Sequence, residues 1–341
     1  MSSETCTRPG PTSRRLLVAL FFTISTLGLL AEPAEPANGD HVLTVASVQF
    51  NVDREIYGSV SAFRRAADRL VAAAVRRYDA DIVVFPEYIN VFLVAARYPS
   101  VVREAESLGG ALRLLRERHG VSGVRELFVR EARWLGETTR TIWSELADTH
   151  EATIIAGTGF MEASDGGRRV LRNRALVFDE SGALVYWQDK AYLTPMEASV
   201  LGLDAADTEP AEPFEVDGVS VGLTICRDTY FESWHEEFPE IDLWVDLRAN
   251  GEPYTPEVYE RFLATLPERV EASSAVAGVN ASLTGSFLDL AWEGPSYLVD
   301  EDGRRIGATR DETGTEIIAV TLTADGDEWM IEIPATSPQS R

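Results

Sequence analysis

The sequence predicts a mixed α/β domain built in layers. Three features point to it: short apolar β-branched runs, amphipathic stretches between the early runs, and Asp/Ser/Gly turns between the later ones. Residues 41–50 alternate and carry Val42, Thr44, Val45 and Val48, so they read as a strand. Residues 59–78 place Val60, Phe63, Ala67, Leu70, Val71 and Ala74 three and four apart, the spacing of an amphipathic helix. Residues 81–85 form an apolar run read as a buried strand, ended by Pro86. Residues 90–125 are less regular, with helical periodicity near 112–118, and residues 126–150 form a longer helix. Strands follow at 152–156, 175–178, 184–187, 219–225 and 241–247. A helix at 256–274 starts on Pro256, which suits a first turn. The last strands fall at 276–280, 296–299 and 316–322. Residues 179–182 and 300–303 read as hairpin turns, and the acidic stretch 204–213 as a surface loop.

The bulk numbers narrow the function classes. With 341 residues, 45% hydrophobic and 25% charged, the body reads as soluble and globular. A net charge of −24 argues against a nucleic-acid partner, because phosphate binding needs a basic stripe. It also opposes contact with an anionic membrane surface. No Gly-rich phosphate loop and no ligand cluster with metal spacing is visible, so no cofactor and no metal is expected.

Residues 1–40 read as an export signal or N-terminal anchor plus linker, and residues 41–341 as the domain. Arg8, Arg14 and Arg15 precede an uncharged stretch from Leu16 to Ala31, followed by the Pro-containing run 32–37. The apolar core is shorter than the ~20 residues that comfortably span a bilayer, so membrane contact is expected only through an uncleaved N-terminal segment. Residues 13–17 also resemble a twin-arginine signal, which makes the expected location periplasmic or extracellular. Of two cysteines, Cys6 lies before the apolar core, so a processed chain keeps Cys226 alone and forms no internal disulfide.

Three reactive side chains follow apolar strands: Glu87 after residues 82–86, Lys190 after 184–187, and Cys226 after 219–225. Strand ends in α/β folds line ligand clefts. A free cysteine is only a few per cent thiolate at neutral pH; a nearby lysine favours the thiolate, and a carboxylate can take the proton. At ~4 Å and an effective dielectric of ~20, one such pair is worth about 4 kcal/mol. When the sulfur attacks an amide carbon, charge grows on the carbonyl oxygen, where Lys190 and the backbone N–H of Arg227 could hold it. One placed donor supplies roughly 3–4 kcal/mol of barrier lowering.

Val84-Phe85-Pro86-Glu87, residues 190–197 (KAYLTPME) and residues 222–228 (GLTICRD) resemble the three signatures of the carbon–nitrogen hydrolase (nitrilase/amidase) superfamily. Residues 45–51, 173–182, 275–280 and 294–296 are similar to other segments of that family, so the likeness extends over about residues 42–322. The resemblance implies a four-layer α-β-β-α sandwich, with two copies commonly paired as a homodimer or in a higher homo-oligomer. It implies Cys226 as nucleophile, Glu87 as general base and acid, Lys190 as oxyanion stabiliser, and Glu197 as the second glutamate that orients Lys190 or water. The expected reaction is hydrolysis of a small-molecule amide, nitrile or carbamoyl bond through a thioester. Tyr192 stands where the family often has His, and the stretch around residues 90–130 is extra length. Tyr192, Tyr230 and Phe231 are expected at the pocket, with Trp187, Trp234 and Trp292 as further aromatic candidates.

Rival readings stay open. A Cys–His hydrolase would need His235, nine residues past Cys226. N-acyl transfer to an amine uses the same triad, although this chain lacks the multiple membrane spans of the lipoprotein N-acyltransferase branch. A catalytically inert binding module of the same fold is the third.

Overall fold

The protein is described from a computed structural model covering residues 42–207, 212–233, 240–252, 254–325 and 328–334. The expected leader in residues 1–40, and the candidates Trp234 and His235, lie outside the described residues.

The chain opens with β1 (Val42–Val52), α1 (Val60–Tyr78) and β2 (Ile82–Val84). A 3-10 segment at Val91–Arg97 leads to α2 (Pro99–Glu104), α3 (Leu108–His119) and α4 (Val124–His150). Next come β3 (Thr153–Asp165), β4 (Arg168–Phe178), β5 (Leu184–Asp189), β6 (Phe214–Val216), β7 (Val219–Ile225) and β8 (Leu243–Arg248). Helix α5 (Pro256–Glu271) precedes β9 (Ala277–Phe287), β10 (Leu290–Trp292), β11 (Tyr297–Asp300), β12 (Arg305–Ala308), β13 (Glu316–Asp325) and β14 (Glu328–Glu332).

The strands form two ladders of matching plan. One runs β14-β13-β1-β2-β3-β4-β5, with β1, β2 and β3 parallel and the flanking pairs antiparallel. The other runs β12-β11-β9-β8-β7-β6, with β9, β8 and β7 parallel. The end of β1 pairs with β9 at Phe50↔Leu283 and joins the two.

Strand alternation sorts the core into layers. Leu43, Val45, Ile82, Val84, Val221, Leu223, Val245 and Leu247 face inward between the sheets. Their sequence neighbours Ala46, Val83 and Phe85 face outward under α1 and α4, where Phe63, Val71 and Trp143 cover them. On the opposite face Trp244, Tyr297 and Val299 pack under Phe262, Leu266 and Val270 of α5. Sheets covered on both faces explain why the strands read as continuous apolar runs. The result is the four-layer α-β-β-α sandwich that the resemblance implied.

The structure departs from the sequence reading in three places. The short strands expected at 152–156 and 175–178 are the base of a long hairpin, paired from Ile154↔Phe178 to Asp165↔Arg168 around Gly166 and Gly167. Only its tip, residues 162–169, leaves the core. β9 runs to Phe287 rather than stopping at 280, with Ala281, Ser282, Leu283 and Thr284 all buried. Residues 90–125 carry a 3-10 segment and two helices where periodicity marked one.

Candidate active site

Glu87 sits just past β2 in a loop stapled to β3. Phe85 N–H donates to Ile155 O at 2.9 Å, Asn90 N–H to Thr158 O at 3.0 Å, and Tyr88 N–H to Thr158 Oγ1 at 2.9 Å. Buried Asn90 donates to Ala156 O at 2.8 Å and accepts from the Trp143 indole at 2.7 Å. Tyr88 is held at φ 65°, a left-handed conformation that is strained for a bulky residue. Gly157, at φ +60°, makes room for this loop: a Cβ there would meet Pro86 O at 2.1 Å. Gly157→Ala is therefore expected to displace Glu87. Activity should fall at least tenfold and stability by about 1–3 kcal/mol, the cost of overpacking; steady-state kinetics and thermal melting check it, and native values in both would sink this reading.

Lys190 follows β5 directly and is locked by its own backbone, with N–H to Asn173 O at 2.8 Å. Its ammonium donates to Glu87 Oε1 at 2.8 Å and to both oxygens of Glu197, at 3.0 and 2.9 Å. Asn173 Nδ2 bridges the same carboxylates, 2.9 Å from Glu87 Oε1 and 3.1 Å from Glu197 Oε1. Glu197 lies in a short π-helical turn, Met196–Leu201, and also accepts from Thr194 N–H at 2.8 Å while Thr194 Oγ1 accepts from Glu197 N–H at 3.2 Å. Glu87 and Lys190 are each 1% exposed and Glu197 0%, so these charges can be carried only because they satisfy one another.

Cys226 follows β7 at φ 52°, the left-handed region again, and opens a 3-10 turn, Cys226–Tyr230. It is the free thiol of the described domain and is partly exposed. The turn rests on a buried polar network. Within it Thr229 Oγ1 donates to the Asp246 carboxylate at 2.9 Å, which also accepts from Arg248. Asp228 accepts from Tyr192 N–H at 2.8 Å, tying the cysteine turn to the residues after Lys190. Arg227 lies within the turn, next to the thiol in sequence.

Burial sets the proton inventory. It raises Glu87 to about 7, against the pull of Lys190 and with a push from Glu197. Burial also raises the Cys226 thiol, seconded by Glu87 and opposed by Lys190. Burial and Glu87 thus oppose the thiolate that the neighbouring Lys190 favours. Lys190 is raised: burial alone would lower it, but Glu87, Cys226 and Glu197 reverse that. Glu197 is lowered, because Lys190 and the Thr194 N–H overcome its burial. Glu87 Oε1 is committed to Lys190 and Asn173, while buried Oε2 has no hydrogen-bond partner.

Glu87, Lys190 and Cys226 line one cavity of about 550 Å³. The 3-10 segment, α2 and α3 wall it, which is where the extra length around 90–130 goes. Of the aromatic candidates, Trp292 lines it. Tyr192, Tyr230 and Phe231 do not, correcting the sequence reading. Tyr192 and Phe231 stack on each other, ring centroids 3.5 Å apart, against the α5 core, and Tyr230 packs beside Arg248. Trp187 is half exposed under Arg174, away from the cavity. Asn173, Tyr88, Asp246 and Arg248 were not singled out from sequence. Asp246 and Arg248 did carry a signal, being charges inside an apolar strand run. Among the described residues, no group of three or more His, Cys, Asp or Glu could hold a metal.

Comparisons with known proteins fit this geometry. A carbon–nitrogen hydrolase from Helicobacter pylori G27 has the same fold, with TM-score 0.59 and 14% identity, over 82% of this chain and 89% of its own. A mutant of the Nesterenkonia AN1 amidase from the nitrilase superfamily follows at TM-score 0.55 and 14% identity, over 81% and 90%. An alanine mutant of the amidase from Nesterenkonia sp. AN1, in complex with butyramide, gives TM-score 0.54 and 15% identity, over 81% and 89%. No curated protein sequence matches significantly. The carbon–nitrogen hydrolase family profile matches residues 44–330, nearly the whole described domain, and the chain belongs to that family.

Proposed function

We propose that the protein hydrolyses a non-peptide carbon–nitrogen bond, foremost an amide, through a thioester on Cys226. What supports this is one observation: a thiol, a carboxylate poised near neutrality and an ammonium, from three distant strand ends, line one cavity. Glu87 takes the thiol proton as sulfur attacks the carbonyl carbon. Once protonated, Glu87 accepts more weakly from Lys190, whose proton turns to the new oxyanion beside the Arg227 N–H. Glu197 and Asn173 keep Lys190 in place throughout. Glu87 then protonates the leaving nitrogen as the carbon–nitrogen bond breaks. Water enters, gives a proton to Glu87 and attacks the thioester; the acid leaves as Cys226 regains its proton.

The test is a panel of primary amides, with ammonia release and the mass of the Cys226 peptide measured after acid quench. The expected result is ammonia together with an added acyl group on that peptide; turnover without the adduct, or no turnover at all, counts against the reading. A pH profile tests the base. Below about 7 Glu87 already carries a proton, so kcat/KM is expected to fall about tenfold per pH unit on the acid side. A profile still flat at pH 5 removes Glu87 from this role.

A further inference from the structure

We propose that the cavity beyond Cys226 is an acyl-chain chamber, so that the favoured amides carry a long hydrocarbon on the carbonyl side. This rests on the hydrolase reading above and specifies its substrate class. At about 550 Å³ the cavity far exceeds what a small amide fills; taking ~30 Å³ per water-sized group, it admits on the order of fifteen non-hydrogen atoms. Its walls are hydrocarbon: Val94, Val101, Leu112, Leu115, Leu127 and Phe128. Four polar side chains on the wall already hold a partner. Tyr98 donates to Glu131 at 2.6 Å, Thr194 Oγ1 accepts from Glu197 N–H at 3.2 Å, Asp289 accepts from Leu108 N–H at 2.7 Å, and Glu252 pairs with Arg261 at 2.7 Å. Against the hydrocarbon part of the wall a polar substrate group would lose water without gaining a partner, whereas an alkyl chain loses nothing.

The segment that makes these walls is built to stay. Residues of α2, α3 and early α4 form a core of their own, with Tyr98, Val101, Ala111, Leu115, Val121 and Leu127 buried. Buried Glu131 anchors it by accepting from Arg97 and Tyr98. The chamber takes the acyl half rather than the amine half because of the second step. Water must arrive where the amine departs, and an apolar chamber is a poor source of water. The acyl tail, covalently retained on Cys226, can stay in place through both steps.

The experiment uses the full chain and straight-chain primary amides from acetamide to decanamide, beside N-alkyl acetamides of equal length. On the acyl series kcat/KM should rise about fourfold per methylene over the first several carbons, and on the amine series it should stay flat. Ala111→Trp, placed in the wall, should cut the decanamide-to-acetamide ratio at least about thirtyfold with its melting temperature reported alongside. Titration of Cys226→Ala with the same amides gives a readout independent of turnover, in which decanamide should bind far more tightly than acetamide. Hydrolysis with no length dependence in rate or binding overturns the chamber and leaves the hydrolase reading. Tight decanamide binding without hydrolysis does the reverse. A length effect confined to the amine series overturns the acyl assignment.

Discussion

Changing Cys226 to alanine is expected to lower amide turnover by at least about 10⁵-fold, because the covalent route is lost and what remains is binding and an oxyanion pocket. Glu87→Gln is expected to cost about 10³–10⁴-fold, the upper range for a positioned acid–base group. The structure makes the glutamine change informative. Gln keeps the size of Glu87 and an oxygen to accept from Lys190 and Asn173 at the positions now 2.8 and 2.9 Å away. It removes the proton acceptor that a thiol raised by burial and by Glu87 itself requires. Because the two residues serve the same steps, their losses should not add: the double variant should be no slower than Cys226→Ala alone. Additive losses would mean that Glu87 acts elsewhere. Iodoacetamide labelling supplies a second readout, since Glu87→Gln should slow alkylation of Cys226 near neutral pH while leaving the melting temperature close to native.

The three reactive residues were legible because each closes an apolar strand, and strand ends in a layered α/β fold converge on one edge. Glu197 came only through the family likeness; its pairing with Lys190 crosses a turn whose π-helical form has no sequence signature. Asn173 was readable merely as part of a hairpin, since an amide bridging two carboxylates is a relation between segments far apart in the chain. The left-handed backbone of Cys226 and Tyr88 is equally invisible, neither being glycine or asparagine. The hairpin of β3 and β4 carries a turn pattern at Asp165-Gly166-Gly167, but its flanks are polar and give no strand signal. The aromatic candidates erred in the ordinary way: a ring near a reactive residue in sequence serves the core more often than the pocket. The extra length around residues 90–130 looked irregular because its apolar side chains face two ways, into a small core of their own and into the cavity.

Lys190→Met is expected to be the most destabilising single change at the site, by about 3–5 kcal/mol at pH 8, the cost of breaking a buried pair from one side. The ammonium is the one cation donating to both Glu87 and Glu197 in the hydrogen-bonded cluster. Its removal leaves two buried carboxylates bridged only by Asn173. The pH dependence carries the diagnosis. In the native protein Glu197 is held below its ordinary value by Lys190, so its contribution is present at neutral pH and is lost as pH falls through its folded pKa. In the variant, burial and mutual repulsion push both carboxylates above their unfolded values, so the folded form binds more protons than the unfolded one. Stability should then rise as pH falls from 8 to 5, opposite in sign to the native Glu197 contribution. Adding Glu197→Gln to Lys190→Met removes one of the two stranded charges and should recover much of the lost stability at pH 8. Activity should stay absent, because no donor remains for the oxyanion from this side of the cavity. Thermal melts of the three proteins across that pH range, beside amide turnover, separate the two loads on Lys190. A Lys190→Met protein that melts like the native one at pH 8 would show that the carboxylates do not depend on it.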